Sequence, residues 1–490
     1  MSTDPGLRRL VLRTVLAAFP GPVPPEWAVR LLADGLGGCT LFGGNVADRE
    51  QLAGLTAALH GAGREVLIAI DEEGGDVTRL AHATGSPYPG NAALGVVDDP
   101  ELTRRIYRAI GDELAAVGID LNLAPTVDVN IADDNPIIGT RSFGADPARV
   151  AQHSAAAVTG LQAAGIAACA KHFPGHGATT ADSHLTLPTV AVPVAVLRSR
   201  ELPPFAAAIG AGTRAVMTGH LRVPELTGDD PATFSSAALV DLLRVEYGFT
   251  GTVISDALEM AGATATAGGV PAAAVRALTA GADLLCLGAA VDPRLVERVV
   301  AAVCDAVTAG RLPATRVEQA AGRVSALAGW TCRRSGPGQP AAGQPDLGYE
   351  VARRAIRVEG SLSGLAGAEP LVVQLESGST IAEGQVPWGL AGRLPGVVRM
   401  GPGDASAERV RTLAGPRPVV LVGRHLHRSP ALRTLVEKLA TDHPTVVVEM
   451  GWPSSWRPSG TDAFVTTHGA SRATGTALTR TLGFAPDPPG

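Results

Sequence analysis

Along the first 330 residues, short apolar runs, polar loops and alanine-rich amphipathic stretches recur in a fixed order. The runs are Cys39-Thr40-Leu41-Phe42, Val66 to Ile70, Ile119 to Leu123, Ile166 to Ala170, Ala215-Val216-Met217, Thr252-Val253-Ile254 and Ala282 to Leu287. Helical stretches are predicted between them, among them Pro100 to Val117 and Pro147 to Ala164. Pro147 suits a first helical turn, with Asp146 as its cap, and Gly118 and Gly165 stand where the two helices should end. Strands alternating with helices predict parallel βαβ units. Seven repeats in this length predict an N-terminal (β/α)8 TIM-type barrel, residues 1–330, with one strand unrecognised. A doubly wound open sheet would gather its polar residues at one switch point. Here polar residues follow nearly every run, which favours the barrel.

The pattern breaks between Trp330 and Pro345, where three glycines, three prolines and Arg333-Arg334 read as a linker, assigned to 331–345. Beyond it, Pro370 to Leu375, Pro418 to Val422 and Val446 to Val448 look like strands, and Asp346 to Arg357 and Ser429 to Leu439 like helices. They predict a second, smaller α/β sandwich domain over 346–490. It is poor in candidate chemistry. His425, His427 and His468 stand alone and read as structural or surface residues.

Composition narrows the function classes. The 490 residues are 46% apolar and 18% charged, enough for large cores. A net charge of −6 gives no general attraction to nucleic acid or anionic membranes, and 4% aromatics offer few stacking platforms for bases. Five widely spaced cysteines (Cys39, Cys169, Cys286, Cys304 and Cys332) do not suggest a disulfide framework. At the N-terminus, Arg13 cuts the apolar run Leu10-Val11-Leu12 after three residues, too short for an export signal. No apolar stretch approaches the ~20 residues that span a bilayer. The expectation is a cytoplasmic protein, monomer or weak homo-oligomer, with a small-molecule ligand rather than nucleic acid or membrane as its partner.

The candidate chemistry lies where the runs end. The second leads into Asp71-Glu72-Glu73-Gly74-Gly75 and the third into Pro125-Thr126-Val127-Asp128, with Arg141-Ser142-Phe143-Gly144 beyond. The fourth ends at Lys171-His172-Phe173-Pro174-Gly175-His176-Gly177, with Asp182-Ser183-His184 close behind. The fifth and sixth end at Gly219-His220 and Ser255-Asp256. In a barrel these ends share one face. Acids, cations and histidines without metal-ligand spacing suit a polyhydroxylated ligand: carboxylates accept from hydroxyls, while Lys and Arg donate. A carboxylate held at a strand end, Asp256, can attack an anomeric carbon, although Asp there is equally the residue expected to cap a helix. Asp182 and His184, two residues apart in a loop, can turn toward each other. The acid would then fix the ring tautomer and raise the basicity of the other nitrogen, although a loop Asp often only bonds its own turn.

Taken together, Ile70 to Gly75, Arg141 to Gly144, Lys171 to Gly177, Asp182-Ser183-His184 and Ile254-Ser255-Asp256 resemble glycoside hydrolase family 3, and within it the β-N-acetylglucosaminidase branch with two domains. The motifs run in family order across roughly 35–330. The resemblance implies Asp256 as nucleophile and His184 as general acid/base partnered by Asp182. It implies Asp71, Arg79, Arg141, Lys171 and His172 as contacts to the N-acetylglucosamine ring. No cofactor and no metal are implied. The sequence departs from the pattern at Asp76, where relatives carry a basic residue after Gly-Gly. The implied reaction is retaining removal of terminal β-linked N-acetylglucosamine from muropeptides or related glycosides. Phosphate in place of water as acceptor is the alternative, and a non-catalytic sugar-binding barrel a second one.

Overall fold

The computed structural model describes residues 4–288, 291–332 and 344–484. They form two compact units, one within 1–72, 103–138 and 145–343, the other within 73–102, 139–144 and 344–490. The second unit is thus discontinuous. It takes in two stretches that follow barrel strands, which the apolar pattern alone had grouped with residues 1–330. Most of the expected linker, 333–343, lies outside the described residues.

The first unit is the barrel. Its strands are β1 (Val15–Ala17), β2 (Gly38–Leu41), β3 (Leu67–Ile70), β4 (Leu121–Asn122), β5 (Ala167–Phe173), β6 (Ala215–Thr218), β7 (Thr252–Ser255) and β8 (Leu285–Cys286). They are parallel neighbours in chain order, and β1 pairs with β8 through Val15 and Leu285. The strand missing from the sequence reading is β1. It has only three residues in regular pairing and begins one residue after the helix Pro5–Arg13, so the apolar run Val15 to Phe19 was not separated from that helix. Leu16, Leu67, Leu121, Cys169, Met217 and Ile254 fill the interior with Leu327 of the last barrel helix, Ala314–Cys332. The helices expected from the capping signals form as Pro100–Ala116 and Pro147–Ala163, and Asp146 accepts the amides of Ala148 and Arg149.

A carboxylate sits at the seam that closes the ring. Ile254 and Leu284 bridge β7 to the start of β8, and next to them lies the fully buried Asp283. Its Oδ2 accepts the amide of Val253 at 3.0 Å and the guanidinium of Arg244; its Oδ1 accepts from Arg316 at 2.7 Å and Arg323 at 3.1 Å. One buried anion thus ties a strand, the helical segment Ala237–Glu246 and two turns of the last helix together.

The second unit holds a six-stranded sheet in the order β11-β10-β12-β13-β14-β9. Its strands are β9 (Arg357–Gly360), β10 (Leu371–Leu375), β11 (Val398–Met400), β12 (Val419–Gly423), β13 (Thr445–Glu449) and β14 (Ala463–Thr466); only the edge strand β9 runs antiparallel. Alternate side chains serve opposite faces, as the period of two requires. Val373, Leu421 and Val447 meet the helices Ala407–Ala414 and Pro430–Ala440, while Val372, Val420 and Val446 pack with Leu478 of the helix Arg472–Thr481. This is the α/β sandwich expected. The sequence reading found β10, β12 and β13, five residues each and buried throughout, and missed the exposed β9, the three-residue β11 and the four-residue β14. No helix among the described residues is long and apolar enough to cross a membrane.

Asp283→Ala leaves the guanidinium of Arg244 and its neighbours without their buried anion. We expect a loss of about 3–5 kcal/mol in unfolding free energy, read by urea denaturation. Asp283→Asn, which keeps an acceptor for Val253, should lose less.

Candidate active site

The barrel brings most of the predicted strand-end residues to one rim. Asp71 follows the last residue of β3, and its Oδ1 receives a hydrogen bond from Lys171 Nζ at 2.7 Å. Asn122 at the end of β4 fixes the same loop, taking the amide of Glu72 at 2.9 Å and giving Nδ2–H to its carbonyl at 2.8 Å. Strand β5 runs further than its apolar residues suggest, through Phe173, because its register against β6 shifts between Ala170 and Phe173. Such an irregularity re-aims the side chains inside it, here Lys171 and His172. The ring of His172 is held by Asp128, a fully buried carboxylate beyond β4. Asp128 Oδ2 accepts from Nδ1 at 2.8 Å, and its Oδ1 accepts the backbone amides of His172 at 3.2 Å and His176 at 2.7 Å. With Nδ1 turned to Asp128, Nε2 is the nitrogen of His172 that faces away from that carboxylate.

Asp182 and His184 form the dyad their spacing suggests. Asp182 Oδ1 accepts both the ring Nδ1–H of His184 at 2.7 Å and its backbone amide at 2.9 Å. The turn-forming and catalytic readings of Asp182 therefore describe the same geometry. Burial alone would raise the Asp182 carboxyl, but the two bonds from His184 outweigh it and hold the group below its usual range. Asp256 follows the last residue of β7, its amide bonded to Thr218 of β6 at 3.2 Å. The helix-cap alternative fails here. The next helix, Ala261–Ala267, begins five residues later and is capped at Met260. The half-buried Asp256 carboxylate instead takes the amide of Ala257 at 2.8 Å. Burial again works against its charge. The rings of His220, His172 and His184 and the Ala257 amide win, so its pKa is lowered and it is ionised near neutral pH.

Residues 24–327 match the model of the glycosyl hydrolase family 3 N-terminal domain. The chain belongs to that family. A solved family 3 β-N-acetylglucosaminidase from Paenibacillus sp. FPU-7 is 32% identical with a TM-score of 0.89, covering 98% of this chain and 97% of its own. A β-hexosaminidase from Stenotrophomonas maltophilia is 38% identical over 276 residues, 55% of this chain and 80% of its own. β-Hexosaminidase A of Pseudoalteromonas piscicida is 33% identical over 330 residues, 62% of this chain. The match spans just 55% of that longer protein. These matches bear out the resemblance to the β-N-acetylglucosaminidase branch.

Within this family 3 rim, several residues carry roles that the motifs did not announce. Asp128 organises β5 and its loop, although its own run, Pro125-Thr126-Val127-Asp128, gave no sign of the bonds it accepts from His172 and His176. His220 is fully buried and bonded at both ring nitrogens, to Thr233 Oγ1 at 2.8 Å and to the carbonyl of Ala257 at 3.0 Å. Nε2 therefore donates to that carbonyl, and burial lowers the pKa of the ring. Glu259, three residues past Asp256, has its carboxyl raised, first by burial and further by Asp256. It occupies space that only a glycine leaves open: a Cβ at Gly288 would lie 1.8 Å from its Oε1.

Two of the predicted sugar contacts belong to the second unit. There, buried Arg141 forms a fork-to-fork pair with Glu73, at 3.0 Å through Nε and 2.8 Å through a terminal nitrogen. Arg79 donates to the carbonyls of Ala382 at 2.7 Å and Glu383 at 3.2 Å. Asp76, the departure from the family pattern, accepts from Thr140 Oγ1 and from the amide of Ala470, each at 2.8 Å. Its carboxylate is thus spent on structure. His468 is buried with Nδ1 bonded to the carbonyl of Ala355, in keeping with a structural reading. Cys39, Cys169, Cys286 and Cys304 are buried free thiols, and Cys332 is an exposed one. Burial pushes the Cys39 thiol up to about 12. No group of three His, Cys, Asp or Glu among the described residues is arranged to hold a metal ion.

His176 is buried, and desolvation lowers its pKa to about 4, against the partial offset of Asp128. An unfolded histidine takes up its proton near 6.5, so the unfolded state binds first as the pH falls. The stabilising effect of the neutral ring is therefore intact above pH ~6.5 and lost progressively down to about 4. Unfolding free energy should fall across that window by up to about 3 kcal/mol from this group. His176→Phe should flatten the decline, as measured by urea denaturation at about pH 7.5 and about pH 4.5.

Proposed function

We propose that the barrel is the catalytic unit of a retaining exo-β-N-acetylglucosaminidase that removes terminal β-linked N-acetylglucosamine from muropeptides or related glycosides. The observation that carries this reading is the pairing of an ionised carboxylate, Asp256, with the Asp182–His184 dyad within electrostatic reach of it. Asp256 attacks the anomeric carbon and forms a glycosyl-enzyme. His184, with Nδ1 tied to Asp182, delivers a proton from Nε2 to the departing oxygen. It then takes a proton from the water that resolves the intermediate, so each half-reaction resets the other. Asp182 takes Nδ1–H, which makes Nε2 the nitrogen that exchanges protons, and stabilises the imidazolium.

Asp71 and Lys171, already paired at 2.7 Å, present a carboxylate and an ammonium to vicinal hydroxyls, and His172 adds its ring, held at Nδ1 by Asp128. The same role for Arg79 and Arg141 rests on the family resemblance. Histidine rather than a carboxylate as acid/base brings no fixed negative charge to the acceptor position, which keeps phosphate in play as a rival to water.

Asp256→Asn should lower turnover of an activated aryl β-N-acetylglucosaminide by at least ~10³-fold, since the covalent step is lost. Retention of wild-type turnover would remove Asp256 from the mechanism. His184→Ala should cost substrates with poor leaving groups at least ~10²-fold and activated ones far less. Equal losses on both would rule out proton delivery. With phosphate present, free N-acetylglucosamine is the expected product; N-acetylglucosamine 1-phosphate would make phosphate the acceptor.

A further inference from the structure

His184 does its work from a loop, and the structure shows what holds that loop. The start of the loop is fixed to the barrel. The backbone amide of His176 donates to Asp128 Oδ1 at 2.7 Å, and its carbonyl accepts from Asn135 Nδ2 at 3.0 Å. The next carbonyl, of Gly177, accepts the amide of Ile131 at 3.2 Å. A Cβ on Gly177 would stand 2.0 Å from the carbonyl oxygen of Val129, so only glycine permits this close approach. The far end of the loop, which bears the dyad, rests on the segment behind Asp256. There the amides of Ala261 and Gly262 donate to the carbonyls of His184 at 3.3 Å and Ser183 at 3.1 Å.

Between the two ends stands the side chain of His176. Its Nδ1 is 2.7 Å from Thr179 Oγ1 and its Nε2 is 3.1 Å from Ser183 Oγ. The donors can be assigned. Thr179 Oγ1 also lies 3.1 Å from the carbonyl oxygen of His176, which only accepts, so the hydroxyl proton goes there. Thr179 then accepts from Nδ1–H, and Nε2 is left as the acceptor for the Ser183 hydroxyl. Ser183 directly precedes His184. One ring thus spans from the fixed end of the loop to the residue beside the proton carrier.

We propose that His176 is a positioning residue: through Ser183 it sets the place of His184 relative to Asp256. This rests on His184 being the acid/base. The role needs a ring that stays neutral while its neighbour exchanges protons. His176 is 2% exposed, whereas the side chain of His184 is 21% exposed. Burial keeps His176 uncharged at pH values where a histidine near its ordinary range changes state. Two histidines eight residues apart therefore divide the labour, one bracing and one carrying the proton.

The test uses the full chain with His176→Phe, which keeps a ring of similar size, and Ser183→Ala, which removes only the partner hydroxyl and spares the fold. Kinetics are read on a dinitrophenyl β-N-acetylglucosaminide and on a β-linked N-acetylglucosamine disaccharide. We expect kcat on the disaccharide to fall about 10- to 100-fold in either variant, the cost of a small misplacement of a catalytic group. KM and the activated substrate should change less than about 3-fold, and the double variant should be no worse than the worse single one. Equal losses on both substrates, or additive losses, would overturn the proposal.

Hydrogen exchange gives a readout that needs no turnover. The amides of Ala261 and Gly262, which hold the loop, should exchange about tenfold faster in both variants, the loss expected for one hydrogen bond. Unchanged exchange would also overturn it. If the wild type cleaves no β-N-acetylglucosaminide, or Asp256→Asn remains active, the reading of the reaction fails instead. The exchange rates would then still decide whether His176 holds the loop.

Discussion

The structure of the barrel depends on the closing of its sheet. An open parallel sheet would spread its strand ends along a line, whereas closure gathers them on a ring. The seam at β7 and β8 is where that closure is weakest in backbone terms, since these strands meet through the single bridge of Ile254 to Leu284, whereas every other neighbouring pair has at least two paired positions. The deficit is met by Asp283, a single anion that binds the amide of Val253 and three arginines. Both strands at the seam carry rim residues at their ends, Asp256 after β7 and Gly288 after β8. The cation cluster beneath the seam and the carboxylates above it are thus parts of one mechanical element.

On the rim the governing problem is how to bring together acids and histidines that would each be costly to bury alone. It is met by giving every ring a partner at Nδ1. Asp128 holds His172, Asp182 holds His184, Thr179 braces His176 and Thr233 meets His220. The choice of partner separates their chemistry. Carboxylate partners go to the two histidines proposed to meet substrate. Hydroxyl partners go to the two that are buried and whose pKa values are lowered by burial. Asp256 gains from three of them: the rings of His220, His172 and His184 keep it charged in spite of its burial.

Much of this was legible in the sequence because barrel strands are apolar on both faces and end abruptly in charge. Asp71, Lys171, His172 and Asp256 could be placed at strand ends from that transition alone, and the Asp182–His184 pair from its spacing. Other features had little or no local signal. Strand β1 had only a weak one: its apolar run, Val15 to Phe19, is parted from the preceding helix by Thr14 alone. The work of Asp128 is visible only once β4 and β5 are side by side. The bracing role of His176 depends on a loop folding back over seven residues. The membership of 73–102 and 139–144 in the second unit is likewise invisible to periodicity. It is set by bonds such as those of Asp76 to Ala470 and Arg79 to Ala382, which join positions roughly 300 to 400 residues apart.

The pairing of β1 with β8 also has a consequence for how the chain reaches this state. Val15 finds its partner Leu285 only after roughly 270 further residues have been made. During synthesis at the ribosome, β1 and each newest strand remain as open sheet edges, able to pair with the wrong chain. Final closure is therefore a late, long-range step whose rate is governed by loop-closure entropy rather than by local helix formation. The short length of β1 limits the edge it offers to other chains while it waits.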